Sequence, residues 1–323
     1  MSFSSRAKNE LCHIPVQKSC CNLAELAALI QICGTIHLGG RKRVSLRVST
    51  ENAAIARRIF LLLKSQYNVQ TEVMVRKNQR LRKNNNYYLV LSNEQQVKQI
   101  LADTGILKRQ EERGFGINRA IDSKLVRKRC CKRAYIRGAF LGGGSVSDPE
   151  KIYHLEIVTH SESYANSLCN LINEFGLNAK TIERKNNFVV YLKEGDQIVN
   201  LLNIIGAHSA LLDLENIRIY KDMRNNINRI VNCETANLSK TINAAVRQIE
   251  NIRYLESNYG LAKLSPSLRE IAELRLKNPD ASLRELGEML EPPIGKSGVN
   301  HRLRKLDKIA EDLKNKGGEG VVK

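Results

Sequence analysis

Apolar residues return at helical and strand periods in an order that occurs twice along the chain. The first cycle starts at Cys20-Cys21, runs through Leu23, Leu26, Leu29 and Ile30, and ends at Gly34. The second starts at Cys130-Cys131, runs through Tyr135, Ile136, Phe140 and Leu141, and reaches Gly144 after the same number of residues. Ser45 to Thr50 and His154 to Thr159 then alternate as strands do. Helical spacing follows at Ile55, Ile59, Leu62 and Leu63, and again at Tyr164, Leu168, Leu171 and Ile172. Arg76-Lys77-Asn78 parallels Arg184-Lys185-Asn186, ahead of strand-like Tyr88 to Leu91 and Val189 to Leu192. Each cycle closes on a helix, with Val97, Ile100, Leu101 and Gly105 against Ile198, Leu201, Leu202 and Gly206. Self-similarity in a fixed order marks a duplicated unit. Each unit is predicted as helix, hairpin, helix, hairpin, helix, with the basic segment Lys108 to Arg129 joining the two.

Beyond the repeats the pattern is wholly helical. The stretch Ile217 to Tyr259 is polar and mostly helical in pattern. Within it Thr235 to Leu255 lacks Pro and Gly while Leu238, Ile242, Ala245, Val246, Ile249 and Ile252 recur near helical spacing, predicting a connecting helix that Asn258-Tyr259-Gly260 ends. Three shorter helices follow. Ser265-Pro266 starts the first, with proline suited to the first helical position, and Asn278-Pro279-Asp280 ends it. Ser282-Leu283-Arg284-Glu285 is a capping box that starts the second, whose predicted buried face is Leu283, Leu286, Met289 and Leu290. Tandem Pro292-Pro293 cannot continue a helix and makes the turn. The third starts near Ser297 and packs through Val299, Leu303 and Leu306. Two helices, a defined turn and a basic third helix predict a helix-turn-helix.

Charge gives this pattern a partner. The 323-residue chain carries 52 Lys and Arg against 33 Asp and Glu, a formal net charge of +19. Such a surface attracts polyanions, nucleic acid foremost. The first predicted DNA-reading set is Ser282, Lys296, Ser297, Asn300 and His301, with Arg302, Arg304 and Lys305 on phosphate. Asn and Arg suit base edges, while Lys and Arg suit phosphates. A second basic set, Arg41, Lys42, Arg43, Arg76, Lys77, Arg80, Arg82, Lys83, Arg184 and Lys185, falls in the hairpins of the repeats. It is compatible with phosphate contact, with a solvated face, and with docking of a protein partner or of the chain's own C-terminal domain.

The same composition excludes other classes. No stretch approaches the roughly 18 apolar residues of a membrane span. Met1 to Ile14 has no apolar core of a signal peptide, so a cytoplasmic, nucleoid-associated protein is expected. The eight cysteines are irregularly spaced, and adjacent pairs lack the gap of a zinc knuckle. They read as buried apolar residues, with no metal and no cofactor expected. No carboxylate and histidine constellation argues for catalysis.

The repeat order resembles the LAGLIDADG homing-endonuclease fold. Leu26-Ala27-Ala28-Leu29-Ile30-Gln31-Ile32-Cys33-Gly34 and Ile136-Arg137-Gly138-Ala139-Phe140-Leu141-Gly142-Gly143-Gly144 align with its signature helices. Nucleases of that family place a metal-binding acid just before the closing glycine, where this chain has Cys33 and Gly143. Neither holds a hard cation, so the resemblance implies a scaffold without the cutting chemistry. With both halves in view, the chain resembles the WhiA family, which fuses a degenerate LAGLIDADG scaffold to a helix-turn-helix. The stretches that carry this are Thr50 to Arg58, Lys128 to Arg133, Val231 to Asn237 and Lys296 to Leu306. Gly295 stands where similar sequences usually carry serine.

The fold class expected is therefore α+β: a two-repeat LAGLIDADG-like domain, αββαββα in each repeat, followed by an all-α helix-turn-helix domain. The expected divisions are 1–107, 108–220, 221–313 and a disordered tail 314–323. The resemblance implies a non-enzymatic, double-stranded-DNA-binding regulator of cell division and chromosome segregation, or of sporulation in some bacteria. A residual metal-dependent nuclease and an RNA-binding maturase-like protein are the competing readings.

Overall fold

The computed structural model describes residues 1–16, 18–38, 44–69, 71–77, 85–110 and 114–318. Its contacts divide the chain into two units, Met1–Asp222 and Met223–Lys323.

The first unit opens with α1 (Phe3–Cys12), a helix the apolar pattern did not reveal, capped by Ser2 Oγ accepting from the Ser5 N–H. Repeat one follows as α2 (Ser19–Cys33), β1 (Gly34–Leu38), β2 (Val44–Thr50), α3 (Ala53–Tyr67), β3 (Glu72–Lys77), β4 (Asn85–Leu91) and α4 (Glu94–Asp103). The segment between the repeats is not merely a basic connection. It forms a hairpin of β5 (Leu107–Gln110) and β6 (Gly114–Ile117), then a 3-10 turn at Ser123–Val126. Repeat two is α5 (Arg129–Gly143), β7 (Gly144–Val146), β8 (Leu155–Thr159), α6 (Glu162–Asn173), β9 (Lys180–Arg184), β10 (Asn187–Leu192) and α7 (Gly195–Ile205). The sheets have matching antiparallel orders, β1-β2-β4-β3 and β7-β8-β10-β9. The predicted order of elements is thus the observed one in both repeats.

Local chemistry explains the punctuation. Asn52 Oδ1 accepts from the Ala54 and Ile55 N–H groups at 2.8 and 3.4 Å and starts α3. Lys185 and Asn186 turn between β9 and β10 with φ of 50° and 61°, the left-handed pair that a tight hairpin demands.

α2 and α5 pack side by side at the centre of the unit. A Cβ on Gly138 would lie 2.4 Å from the Glu25 carbonyl oxygen, so only glycine permits this approach. The seam is also ionic. Glu25 is fully buried, and its carboxylate accepts from Arg58 Nε at 2.7 Å and Arg137 Nε at 2.9 Å. Arg58 lies on α3 and Arg137 on α5, so one carboxylate ties the repeats together. One apolar core, from Phe3 to Leu214, runs through both repeats.

The helical pattern of Ile217 to Tyr259 belongs to one helix, α8 (His208–Asn258), which starts nine residues earlier. Polar sequence with few breakers propagates a helix without needing a buried stripe. Its first turns bury Ala210 and Leu214, its periodic Leu238, Ile242 and Val246 are exposed, and burial resumes at Gln248, Asn251, Ile252 and Leu255.

In the second unit, α9 (Pro266–Lys277), α10 (Leu283–Glu288) and α11 (Lys296–Gly318) close a core of Ile252, Leu255, Leu268, Ile271, Leu286, Leu290, Val299, Leu303, Leu306 and Ala310. Ser265 stands at the cap of α9, but its hydroxyl makes no capping bond. Met289 leaves the predicted buried face, because α10 ends at Glu288 and the chain turns there, leaving Met289 half exposed. α11 continues past the predicted end at Leu313. Lys314 Nζ reaches Asn251 Oδ1 at 2.8 Å and sits over the Tyr254 ring, fastening those last turns to α8.

Candidate nucleic-acid interface

The capping box at Ser282 is fully formed. The Glu285 N–H donates to Ser282 Oγ at 3.3 Å, and the Ser282 N–H donates to Glu285 Oε2 at 2.7 Å. That bond holds the Glu285 carboxyl below the usual carboxylate range. The Ser282 hydroxyl is thereby engaged within the box, accepting from the Glu285 N–H and adding to the stabilisation of the Glu285 carboxylate. Gly287 closes the turn between α10 and α11. An added Cβ would lie 2.2 Å from the Ile294 carbonyl oxygen, whose backbone N–H bonds back to the Gly287 carbonyl at 3.1 Å.

Gly295 precedes α11, and its carbonyl accepts from the Gly298 and Val299 N–H groups at 2.9 and 3.2 Å. A Cβ added to Gly295 would meet nothing within 4 Å. Serine would fit there, and glycine forfeits only the hydroxyl cap.

Val299, Leu303 and Leu306 are buried as predicted, which orients the rest of the helix. Lys296, Ser297, His301, Arg304 and Lys305 are exposed. Asn300 is half-buried and lines a groove with Lys296. Arg302 turns elsewhere. Its Nη1 donates to the Ser267 carbonyl at 3.5 Å and lies 3.8 Å from Glu270 Oε2, so it braces α11 against α9.

The groove has walls that the sequence reading missed. Lys240 and Gln248 of α8 and Arg284 of α10 line it together with Lys296 and Asn300. Buried Gln248 Oε1 has no hydrogen-bond partner among the described residues. Arg275, also on the groove, is buried at 3% exposure and donates from Nη1 to the Ala281 carbonyl at 2.5 Å. Burial lowers its pKa, with Asp280 pulling the other way. These residues come from separate helices at no motif spacing. The cue available in sequence was basic residues on the polar faces of α8 and α10.

At the degenerate nuclease positions the geometry is closed. Cys33 Sγ donates to the Gly142 carbonyl at 3.6 Å. Burial pushes the Cys33 thiol up to about 11, with Lys8 from α1 acting weakly against it. Lys8 itself is buried enough to have its pKa lowered. A Cβ on Gly143 would lie 2.4 Å from the Val158 carbonyl oxygen, so no side chain fits. A neutral thiol, a lysine and a bare backbone are a poor site for a divalent cation.

The second basic set is only partly placed. Arg41, Lys42, Arg43, Arg80, Arg82 and Lys83 lie outside the described residues. Lys77 ends β3, and Arg184 and Lys185 are exposed at the β9–β10 turn. Arg76 is exposed on β3, and Arg76 and Arg47 each lie 5.9 Å from the Tyr88 ring centre. The same face of β3 carries exposed Met74, while Val73 and Val75 alternate to the opposite face.

Comparison with known proteins gives one result at every level. Sequence profiles of a WhiA N-terminal LAGLIDADG-like domain, a WhiA LAGLIDADG-like domain and a WhiA C-terminal HTH domain match residues 19–107, 132–224 and 227–310. A probable cell division protein WhiA of Alkaliphilus metalliredigens is 61% identical, over 98% of this chain and 99% of its own. Its namesake in Alkaliphilus oremlandii is 59% identical over the whole of both. The solved full-length WhiA of Thermatoga maritima is 27% identical with a TM-score of 0.60, covering 97% of this chain and 99% of that one. No helix among the described residues is long and apolar enough to cross a membrane.

Proposed function

The chain belongs to the WhiA family, and from that premise we propose that it is a DNA-binding regulator of cell division and chromosome segregation, without enzymatic activity, acting on the nucleoid in the cytoplasm. The carrying observation is the third helix of the C-terminal unit. Its apolar stripe is spent on the core, and Lys296, Ser297, His301, Arg304 and Lys305 are left exposed along it. A helix so anchored enters the major groove with the residues of its first turns toward base edges. Lys296, Ser297, Asn300 and His301 are the base-reading set in this proposal, with Ser282 at the mouth of the groove. Arg304 and Lys305 hold phosphate, joined by Lys240 and Arg284. Arg302 supports the helix and contributes charge.

Two-metal hydrolysis needs carboxylates to hold its cations. Cys33 and Gly143 supply none, and the Lys8 charge beside Cys33 opposes a cation. Residues 1–107 and 108–220 serve as scaffold in this reading, 221–313 as the DNA-binding part. Arg76, Lys77, Arg184 and Lys185 add phosphate contact that does not depend on sequence.

Duplex binding measured by fluorescence anisotropy across a salt series tests the reading. Replacing Arg304 and Lys305 with alanine should weaken binding and reduce the salt slope by about 0.9 per lost phosphate contact. Unchanged affinity and slope would sink the helix-turn-helix assignment. Nicking of supercoiled plasmid that requires magnesium would sink the non-enzymatic one. Stronger binding to structured RNA than to duplex would favour the maturase-like reading instead.

A further inference from the structure

Four cysteines that the sequence places in two distant pairs form one cluster. Cys20 and Cys21 stand in the first turn of α2, and Cys130 and Cys131 in the first turn of α5. Because α2 and α5 lie side by side, the pairs meet, and all four Sγ atoms lie within 4.8 Å of one another. Cys130 Sγ and Cys131 Sγ are 4.0 Å apart. Cys21 and Cys131 are buried as read, whereas Cys130 is exposed and Cys20 half-buried, which corrects the reading of those two as buried apolar fillers. The two-residue gap of a knuckle is a rule for one loop supplying two ligands. Here two helices each supply an adjacent pair.

We propose that Cys20, Cys21, Cys130 and Cys131 bind one zinc ion as a structural tetrathiolate site that clamps the two repeats together.

The spacing fits a single ion. With zinc–sulfur bonds of about 2.3 Å, a tetrahedral site has sulfur–sulfur edges of roughly 3.8 Å, so the thiols close by about an ångström or less. An iron–sulfur cluster spreads its thiolates around several metal centres, and four sulfurs this close leave no room for one. The setting also favours the anion that results. Zinc displaces the four thiol protons and leaves a site of net charge −2. Both helices have a lysine at the N-cap, Lys18 and Lys128, and neither has a side-chain capping bond. Arg129 adds a further cation beside Cys130. Two uncapped, positively charged helix ends suit a bound dianion, whereas alone they repel. Exposed Cys130 gives the ion a way in, while Cys21 and Cys131 are at most 4% exposed and keep it from solvent.

This position is not that of the nuclease metals. Cys33 and Gly143 stand at the opposite ends of the same helices, roughly 18 Å away at 1.5 Å per residue. Nor do the other cysteines join in. Cys169 Sγ donates to the Ala179 carbonyl at 3.1 Å, and Cys233 is exposed on α8.

The test uses the full chain, expressed with added zinc and purified under reductant without chelator. Metal analysis should find stoichiometric zinc, and cobalt(II) exchange should give the intense visible bands of a tetrahedral tetrathiolate. Cys130→Ser and Cys20→Ser should each lose the bound zinc, and Cys233→Ser should keep it. Chelation should lower the melting temperature of the wild type and leave that of Cys130→Ser unchanged. If the serine variants fail to fold, the cobalt spectrum of the wild type decides alone. A wild-type protein without metal, with iron in place of zinc, or with the four thiols oxidised to disulfides overturns the proposal. So does zinc retained when Cys20 and Cys130 are both replaced.

Discussion

The two units hold their central helices by different means. In the first, the α2–α5 contact is made at backbone distance through Gly138 and stitched by charge, with fully buried Glu25 between Arg58 and Arg137. In the second, α8 to α11 meet over a dozen buried apolar side chains, and the polar pair buried beside them is uncharged on one side, Asn251 Nδ2 donating to Asp307 Oδ1 at 2.8 Å. A buried ionic seam contributes little net stability but is costly to break, because each orphaned partner stays buried and charged. A small apolar core tolerates volume-conserving change and depends on its turns and caps. The first unit is therefore sensitive at a few polar atoms and the second at its backbone corners. A DNA-reading surface sits naturally on the second kind, where exposed side chains vary without disturbing the core.

The sharpest way to break this contrast is Glu25→Ala. It strands Arg58 and Arg137 in the core and should cost the first unit about 3–5 kcal/mol in denaturant unfolding. A joint apolar replacement of Glu25, Arg58 and Arg137 should recover most of the loss. If the single change is harmless, the seam is not what holds the repeats. Next comes Gly287→Ala, which sets a Cβ against the Ile294 carbonyl. Overpacking of that kind costs about 1–3 kcal/mol, and duplex affinity should fall with it while the first unit unfolds unchanged.

The capping box gives a smaller, pH-dependent effect. The Glu285 carboxyl is held low by the Ser282 N–H, so its contribution is present at neutral pH. It is lost as pH falls below the ordinary glutamate range and through that depressed value. Glu285→Gln should flatten this part of the acid unfolding curve. An acid transition of the second unit identical in both proteins would remove the cap from the account. Smallest is Gly295→Ser, which restores a capping hydroxyl where space is open. It should add a few tenths of a kcal/mol to the second unit, visible as a slight rise in its denaturant midpoint.

Much of this was legible in sequence, for identifiable reasons. Strand alternation at Ser45 to Thr50 and helical spacing at Tyr164 to Ile172 are periodic signals that packing reinforces. Ser282 and Glu285 cap a helix through bonds confined to four residues, so local sequence suffices. The helical pattern of α8 was legible from Ile217, whereas its first turns, which bury Ala210 and Leu214 in the core of the first unit, were not. Met289 kept helical spacing after its helix had ended, and periodicity alone cannot mark that end. Arg302 was read with Arg304 and Lys305 as a phosphate ligand because all three are basic and close together in sequence. Ser267 and Glu270, which claim Arg302, lie a helix away in sequence.

What the sequence determined by itself is therefore what depends on neighbours along the chain: the duplicated order of elements, the capped helices, the basic face of Lys296 to Lys305, and the missing acids at Cys33 and Gly143. The tertiary structure alone decided what depends on neighbours in space. It seated Glu25 between arginines of two elements and put Lys240 and Arg284 on the same groove as Asn300. It also brought Cys20 and Cys21 against Cys130 and Cys131. Duplication explains that last meeting. Equivalent positions in two repeats are far apart in sequence, and the packing of α2 on α5 sets them face to face.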